Sequence, residues 1–218
     1  MIKKVFILLF CMCFILGGLF SQTYNGDPYR KKVRPTKNII LMIPDGTSIG
    51  VVSAARWYQL YNKLGNDNLN IDPYLCGTVK TFSSNAPIVD SAPATSAFTT
   101  GMPQQSGNVA IYPPADLEND LIDVDTTMAY QPLATILEAM RIEQKKAAGL
   151  VVTVEFPHAT PADCSAHHYN RGRYDLLAPQ IVYQNLDVVF GGGVSLITED
   201  MKQHFINKGV KSCERTPA

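Results

Sequence analysis

An α/β domain with a mostly parallel central sheet and helices on both faces is the architecture this sequence predicts, and two observations predict it. Short continuous apolar runs have the pattern of strands buried on both faces. They alternate with longer segments whose apolar residues recur near the helical period. Such alternation calls for a parallel sheet wrapped by helices. At 218 residues and 46% hydrophobic content the chain is long enough for one good core. Neither an internal repeat nor a low-complexity tract divides it.

Met1-Ile2-Lys3-Lys4 is a basic start, and Val5 to Phe20 is an apolar run without charge, with Gly17, Gly18 and Ser21 near a cut. This is the pattern of a secretory signal peptide over residues 1–21. An uncleaved anchor is the alternative, although the run is short of the ~20 residues a span requires. With the signal removed no stable membrane span remains, and a periplasmic or extracellular protein is expected. Residues 22–37 form a polar lead-in, and 38–218 the α/β domain.

Asn38 to Pro44 reads as a buried strand ended by Asp45-Gly46. Thr47-Ser48 can cap the following helix, where Ile49, Val52, Arg56, Leu60 and Leu64 keep helical spacing. Cys76 to Phe82 reads as a second strand, and Ser83 to Pro87 as a turn. Pro93 just inside the start and Gly101 just past the end mark a short helix. Met102 to Thr127, with Pro113-Pro114 and the acids Asp116, Glu118, Asp120, Asp123 and Asp125, reads as a solvated loop. Leu133, Ile136, Leu137 and Met140 predict an amphipathic helix, with Lys145-Lys146 near its carboxyl end. Ala148 to Val154 is a strand, Leu176 to Tyr183 a helix, and Leu186 to Phe190 a strand ended by Gly191-Gly192-Gly193.

Net charge is zero and no basic block stands out, so nucleic acid is not an expected partner. Signal removal leaves Cys76, Cys164 and Cys213, which allow at most one disulfide within the chain in an oxidising compartment. An odd count is also what a truncated protein shows. No CxxC pair or structural zinc spacing is present.

In open α/β sheets the ligand site lies beyond the carboxyl ends of the strands, and three polar clusters fall there. The first is Asp45, which taken alone is a turn residue. The second is Asp90-Ser91. Ser91 is an N-cap, or a nucleophile toward an anion held by free N–H groups at a helix N-terminus. The third runs from Thr153 through His158, Thr160 and Pro161, where a helix begins whose far end carries Arg171, which taken alone is a surface arginine. His167 and His168 are adjacent and point to different faces, so they cannot chelate one ion and read as structural or surface residues.

Taken in order, these clusters resemble the alkaline phosphatase family over roughly residues 36–193. Asn38 to Gly46 looks like its first metal motif. Asp90-Ser91-Ala92, followed by small residues and Gly101, resembles its active-site serine motif, with departures at Pro93 and Thr95-Ser96. His158-Ala159-Thr160-Pro161-Ala162 with Asn170-Arg171 resembles its third segment. The resemblance implies hydrolysis of small phosphate monoesters through a phosphoserine on Ser91, with Arg171 clamping the phosphate through two parallel donors. It implies two Zn²⁺ and one Mg²⁺ in the complete protein. Asp45 would bridge the magnesium and the neighbouring zinc, Ser91 would meet zinc, Thr160 would give its hydroxyl to magnesium, and His158 would stand in the outer shell. Zinc would stabilise the serine alkoxide without a general base. A homodimer is common in the family.

The family's remaining zinc ligands come from carboxyl-terminal sequence. After Arg171 the only histidine is His204, with no Asp-His pair around it. The expectation is therefore the amino-terminal half of an exported phosphatase, with the nucleophile, the arginine and part of the magnesium site but no zinc site. A truncated, non-catalytic exported relative that binds phosphate or a partner is the alternative reading. A phosphodiesterase or sulfatase of the wider superfamily is a third, against which Ser91 with an arginine clamp favours monoesters.

Overall fold

The computed structural model of the chain describes residues 36–211. The expected signal peptide, almost all of the polar lead-in and Cys213 lie outside the described residues. Described residues 36–43 fall outside the compact unit that begins at Pro44. In its described part, the run expected to be a buried strand is neither: Ile40 is 88% and Met42 83% exposed, and no strand forms. A continuous apolar run becomes a strand only when neighbours pair its backbone and cover both faces. No ladder forms along the described part of this run.

From Pro44 onward, helix α1 (Ile49–Tyr61) starts where expected, because the Ser48 hydroxyl accepts from the Val51 amide at 3.4 Å. It ends before Leu64 and buries no residue. What fixes it is Arg56, whose guanidinium forks onto the Asp72 carboxylate at 2.5 and 2.6 Å, a planar two-donor match. Residues 76–82, expected to be a strand, carry no regular structure and lead to an isolated antiparallel bridge between Ser83 and Ala86.

Helix α2 (Ser91–Thr100) closes on Gly101 at φ +80°, whose amide returns to the Ala97 carbonyl. Only glycine takes that left-handed conformation without strain. The loop after it is irregular, as expected, but its first half is not solvated: Gln104, Asn108, Val109, Ala110 and Ile111 are buried, because their backbone groups pair with Ser96, Leu133 and His168. Helix α3 (Ile136–Ile142) begins three residues later than Leu133 suggests, because Thr135 and Glu138 form a capping box.

The sheet is a two-stranded parallel ribbon of β1 (Gly149–Glu155) and β2 (Val188–Gly192). Gly149 lies opposite Val188 and Val151 opposite Phe190, with an irregularity before Glu155 meets Gly192. A Cβ on Gly149 would sit 2.8 Å from the Val188 carbonyl, so the strands approach this closely only over a glycine. Between the strands come the short helical turn α4 (Ala159–Ala162) and helix α5 (Tyr174–Tyr183).

Helix α6 (Glu199–Lys208) follows, a helix that apolar periodicity does not announce. The core gathers Leu150, Phe156, Leu177, Ile181, Val182 and Met201 with Ala92, Ala159 and Ala162. The small residues let α2 pack closely on α4. The other side of the ribbon is open, with Val151 75% and Phe190 62% exposed.

Candidate active site

The amino end of α2 carries the first group. Asp90 occupies the N-cap position with an extended backbone, but its side chain makes no capping hydrogen bond. Ser91 is therefore the first helical residue. It is half-buried, at the end where backbone N–H groups lack intrahelical acceptors and the helix dipole favours an anion.

The carboxylate of Asp90, free of its capping role, accepts from Arg171 Nη1 at 3.1 Å, joining residues 81 apart. Arg171 Nη2 lies 3.4 Å from His158 Nε2. The guanidinium thus stands between the acid beside Ser91 and the imidazole that opens α4.

Arg171 does not ride on a helix. α4 is four residues long, with His158 at its N-cap, and ends because the chain turns to bridge residue 109. Val109 and His168 exchange both backbone hydrogen bonds, at 2.8 and 2.9 Å, and the Arg171 amide donates to the Gly107 carbonyl. Backbone pairing to residues 107–109 therefore sets where Arg171 starts.

The second group is Asp45 with Thr160. The Thr160 hydroxyl donates to Asp45 Oδ2 at 3.0 Å across 115 residues. A carboxylate and a hydroxyl are hard oxygen donors of the kind that hold magnesium together with waters, so these two residues fit that ion. Among the described residues no three His, Cys, Asp or Glu side chains are grouped to hold a metal ion. His158, expected in the outer shell, directs its Nε2 at Arg171.

Two features of the site escape the sequence. Asp163 is fully buried beneath α2, accepting from Ser96 Oγ at 2.5 Å through Oδ1, while Oδ2 has no partner. Burial holds this carboxyl well above the usual range, against the opposing effect of the Ser96 hydrogen bond. Burial likewise pushes the neighbouring Cys164 thiol up to about 12, so it is an inert thiol. Cys164 and the exposed Cys76 are both free.

The other such feature is His167, whose ring lies between the Ala110 carbonyl and Glu138. That agrees with a structural role, although neither His167 nor His168 is helical. No spacing rule in the sequence links these pairs; the acid after His158-Ala-Thr-Pro-Ala is the one visible hint.

Comparison with known proteins gives the same reading. The alkaline phosphatase family model matches residues 36–213. Alkaline phosphatase of Schizosaccharomyces pombe is 34% identical over 164 residues, covering 72% of this chain and 28% of the yeast protein. The solved cold-active alkaline phosphatase of a psychrophilic Shewanella superposes with a TM-score of 0.59 at 27% identity, covering 76% of this chain and 38% of that one. A histidine-to-glutamate mutant of alkaline phosphatase from the Antarctic bacterium TAB5, with Mg bound in its M3 site, shares the fold at 24% identity and a TM-score of 0.58, over 80% of this chain and 45% of that one. The chain thus spans less than half the length of each of these proteins. With the match running through all three polar clusters, the chain belongs to the alkaline phosphatase family.

Proposed function

We propose that this chain is the nucleophile-bearing part of an exported alkaline phosphatase that hydrolyses small phosphate monoesters through a phosphoserine at Ser91. The observation that carries the proposal is the meeting of Arg171 with Asp90 beside Ser91 at a helix N-terminus. Arg171 holds two non-bridging phosphate oxygens, and Asp90 fixes the guanidinium plane. Ser91 Oγ attacks phosphorus in line, the ester P–O bond breaks, and the alcohol leaves with the proton delivered through solvent. Water then cleaves the phosphoserine and returns free phosphate. Charge stabilisation and positioning carry most of such a transfer.

A magnesium ion held by Asp45 and Thr160 would neutralise charge near the transferred group. The zinc ions belong, in this proposal, to the complete protein, and no step here passes through them. Export follows from the basic and apolar start of the chain; no described helix is long and apolar enough to cross a membrane. The zero net charge favours small substrates over nucleic acid, and a homodimer is the assembly proposed by family resemblance.

A second reading, a non-catalytic exported relative that binds phosphate, is favoured by the lack of a three-ligand metal group among the described residues. Turnover of an aryl phosphate, measured on the protein purified from its own cells with added magnesium and zinc, separates the two. Turnover that disappears in Ser91→Ala supports the phosphatase. Phosphate binding without turnover supports the second reading. Turnover that survives Ser91→Ala at the wild-type level overturns the proposed role of this serine.

A further inference from the structure

The ring of His167 is held at both nitrogens by acceptors. Nδ1 lies 2.7 Å from the Ala110 carbonyl oxygen and Nε2 3.0 Å from Glu138 Oε1. A neutral imidazole carries one N–H, so one of these contacts would oppose two lone pairs; only the imidazolium satisfies both. The side chains are 17% and 10% exposed, so water does not readily replace a lost partner. Glu138 is itself fixed, accepting from the Thr135 amide at 2.8 Å and from Gln184 Nε2. The His167 backbone is fixed from α5, its amide donating to Gln180 Oε1 and its carbonyl accepting from Gln180 Nε2.

What this ring holds together is the site. Ala110 has φ +40°, a conformation that a residue with a Cβ keeps only where its surroundings enforce it. Three contacts enforce it. Its amide donates to Ser96 Oγ on the serine helix, and its carbonyl accepts from the Leu133 amide and faces the His167 ring. The next residue on the same arm is His168, which bridges Val109, and three further on is Arg171, anchored to Gly107. The ring therefore joins α3, the segment tied to α2 through Ser96, and the arm that carries Arg171.

We infer that His167 is a positioning residue: as an imidazolium clamped between Ala110 and Glu138, it fixes the Arg171 arm against the helix that presents Ser91. This rests on the reading of Ser91 and Arg171 as the phosphate site. The titratable group facing the ring is Glu138 from α3. α5 faces it with the uncharged Gln180 and Gln184, and Arg141 of α3 is directed at the Gln184 and Asn185 carbonyls. Deprotonation removes one of the two ring contacts, so the arm loosens as pH rises through the titration of His167.

The test follows the His167 ring nitrogens by ¹⁵N NMR in the whole chain from about pH 5 to about pH 9. On the same samples it follows Arg171 Nε–H exchange and the binding of inorganic phosphate, for wild type, His167→Gln and Arg171→Ala. Both ring nitrogens should be protonated near pH 6. Arg171 exchange should quicken as the ring titrates and be quick at every pH in His167→Gln. Phosphate binding should fall by roughly tenfold or more in His167→Gln and by a similar factor in wild type as pH rises past the ring's titration.

A ring carrying a single proton near pH 6, or Arg171 exchange unchanged in His167→Gln and across the wild-type titration, overturns the inference. Wild type that binds no phosphate, or binds it unchanged in Arg171→Ala, fails the phosphate-site reading instead, while the ring and exchange measurements still decide the role of His167. If His167→Gln does not fold, the wild-type titration decides alone.

Discussion

Replacing Glu138 with glutamine keeps the shape of the side chain and removes its charge, and the structure sets the size of the result. Burial acts to raise the Glu138 carboxyl, but His167, the Thr135 amide and Gln184 outweigh it and bring it from 4.5 to about 2. At ~1.36 kcal/mol for each tenfold change in proton affinity, that difference corresponds to about 3 kcal/mol of folding stability. A depressed carboxyl contributes fully above its unfolded value, and the contribution is lost as pH falls through its folded value. Glu138→Gln should therefore cost about 2–3 kcal/mol near neutral pH, and the gap from wild type should shrink below about 1 kcal/mol near pH 2.

His167 works with the opposite sign. Burial lowers its pKa, but the Glu138 carboxylate and the Ala110 carbonyl raise it above 6.5 overall. Its stabilisation is present below that value and fades as pH rises through the raised one. Wild-type stability should peak between the two titrations. Urea unfolding followed by circular dichroism across pH reads both limbs. A Glu138→Gln variant as stable as wild type at neutral pH, or one whose deficit is the same at acidic and neutral pH, would refute the reasoning.

Ser96→Ala should destabilise the chain by about 2–3 kcal/mol, because it leaves the buried Ala110 amide and the buried Asp163 carboxyl without the hydroxyl they share. A urea midpoint within about 0.5 kcal/mol of wild type would show that water replaces that hydroxyl. Thr160→Ala should weaken magnesium binding by about tenfold through loss of the hydroxyl beside Asp45, measured by calorimetry on the whole chain. An unchanged affinity would remove this pair from the cation site.

The parts legible in the sequence are those whose cause is local. Ser48 caps α1, Gly101 closes α2 in the left-handed region, and the apolar runs at residues 148–154 and 186–190 become β1 and β2, each shifted by one or two positions. Helix α6 is not among the elements the sequence reading names, although its boundaries carry ordinary signals. Thr198 caps it, Glu199 and Asp200 occupy its first turn, and Gly209 ends it at φ +67°, all ordinary boundary signals.

The parts not legible depend on partners far along the chain. Ile39–Ile43 has the composition of a buried strand, yet forms none, because composition does not name a pairing partner. Arg171 reaches Asp90 because residues 107–109 pair with the arm before it. The His167–Glu138 pair spans 29 residues between an arm and a helix. The three clusters could be placed at one site from the family resemblance, but the Asp90–Arg171 and Thr160–Asp45 contacts are matters of geometry.

The central claim, that Ser91 is the group that takes the phosphoryl, is tested most directly by peptide mass mapping. The protein from its own cells would be incubated with a phosphate monoester and quenched in acid, where phosphoserine is stable. One phosphoryl group on the peptide carrying Asp90-Ser91-Ala92, absent in Ser91→Ala and much reduced in Arg171→Ala, is the predicted result. Ester hydrolysis with no phosphoryl on that peptide, or with the label on another residue, would contradict it.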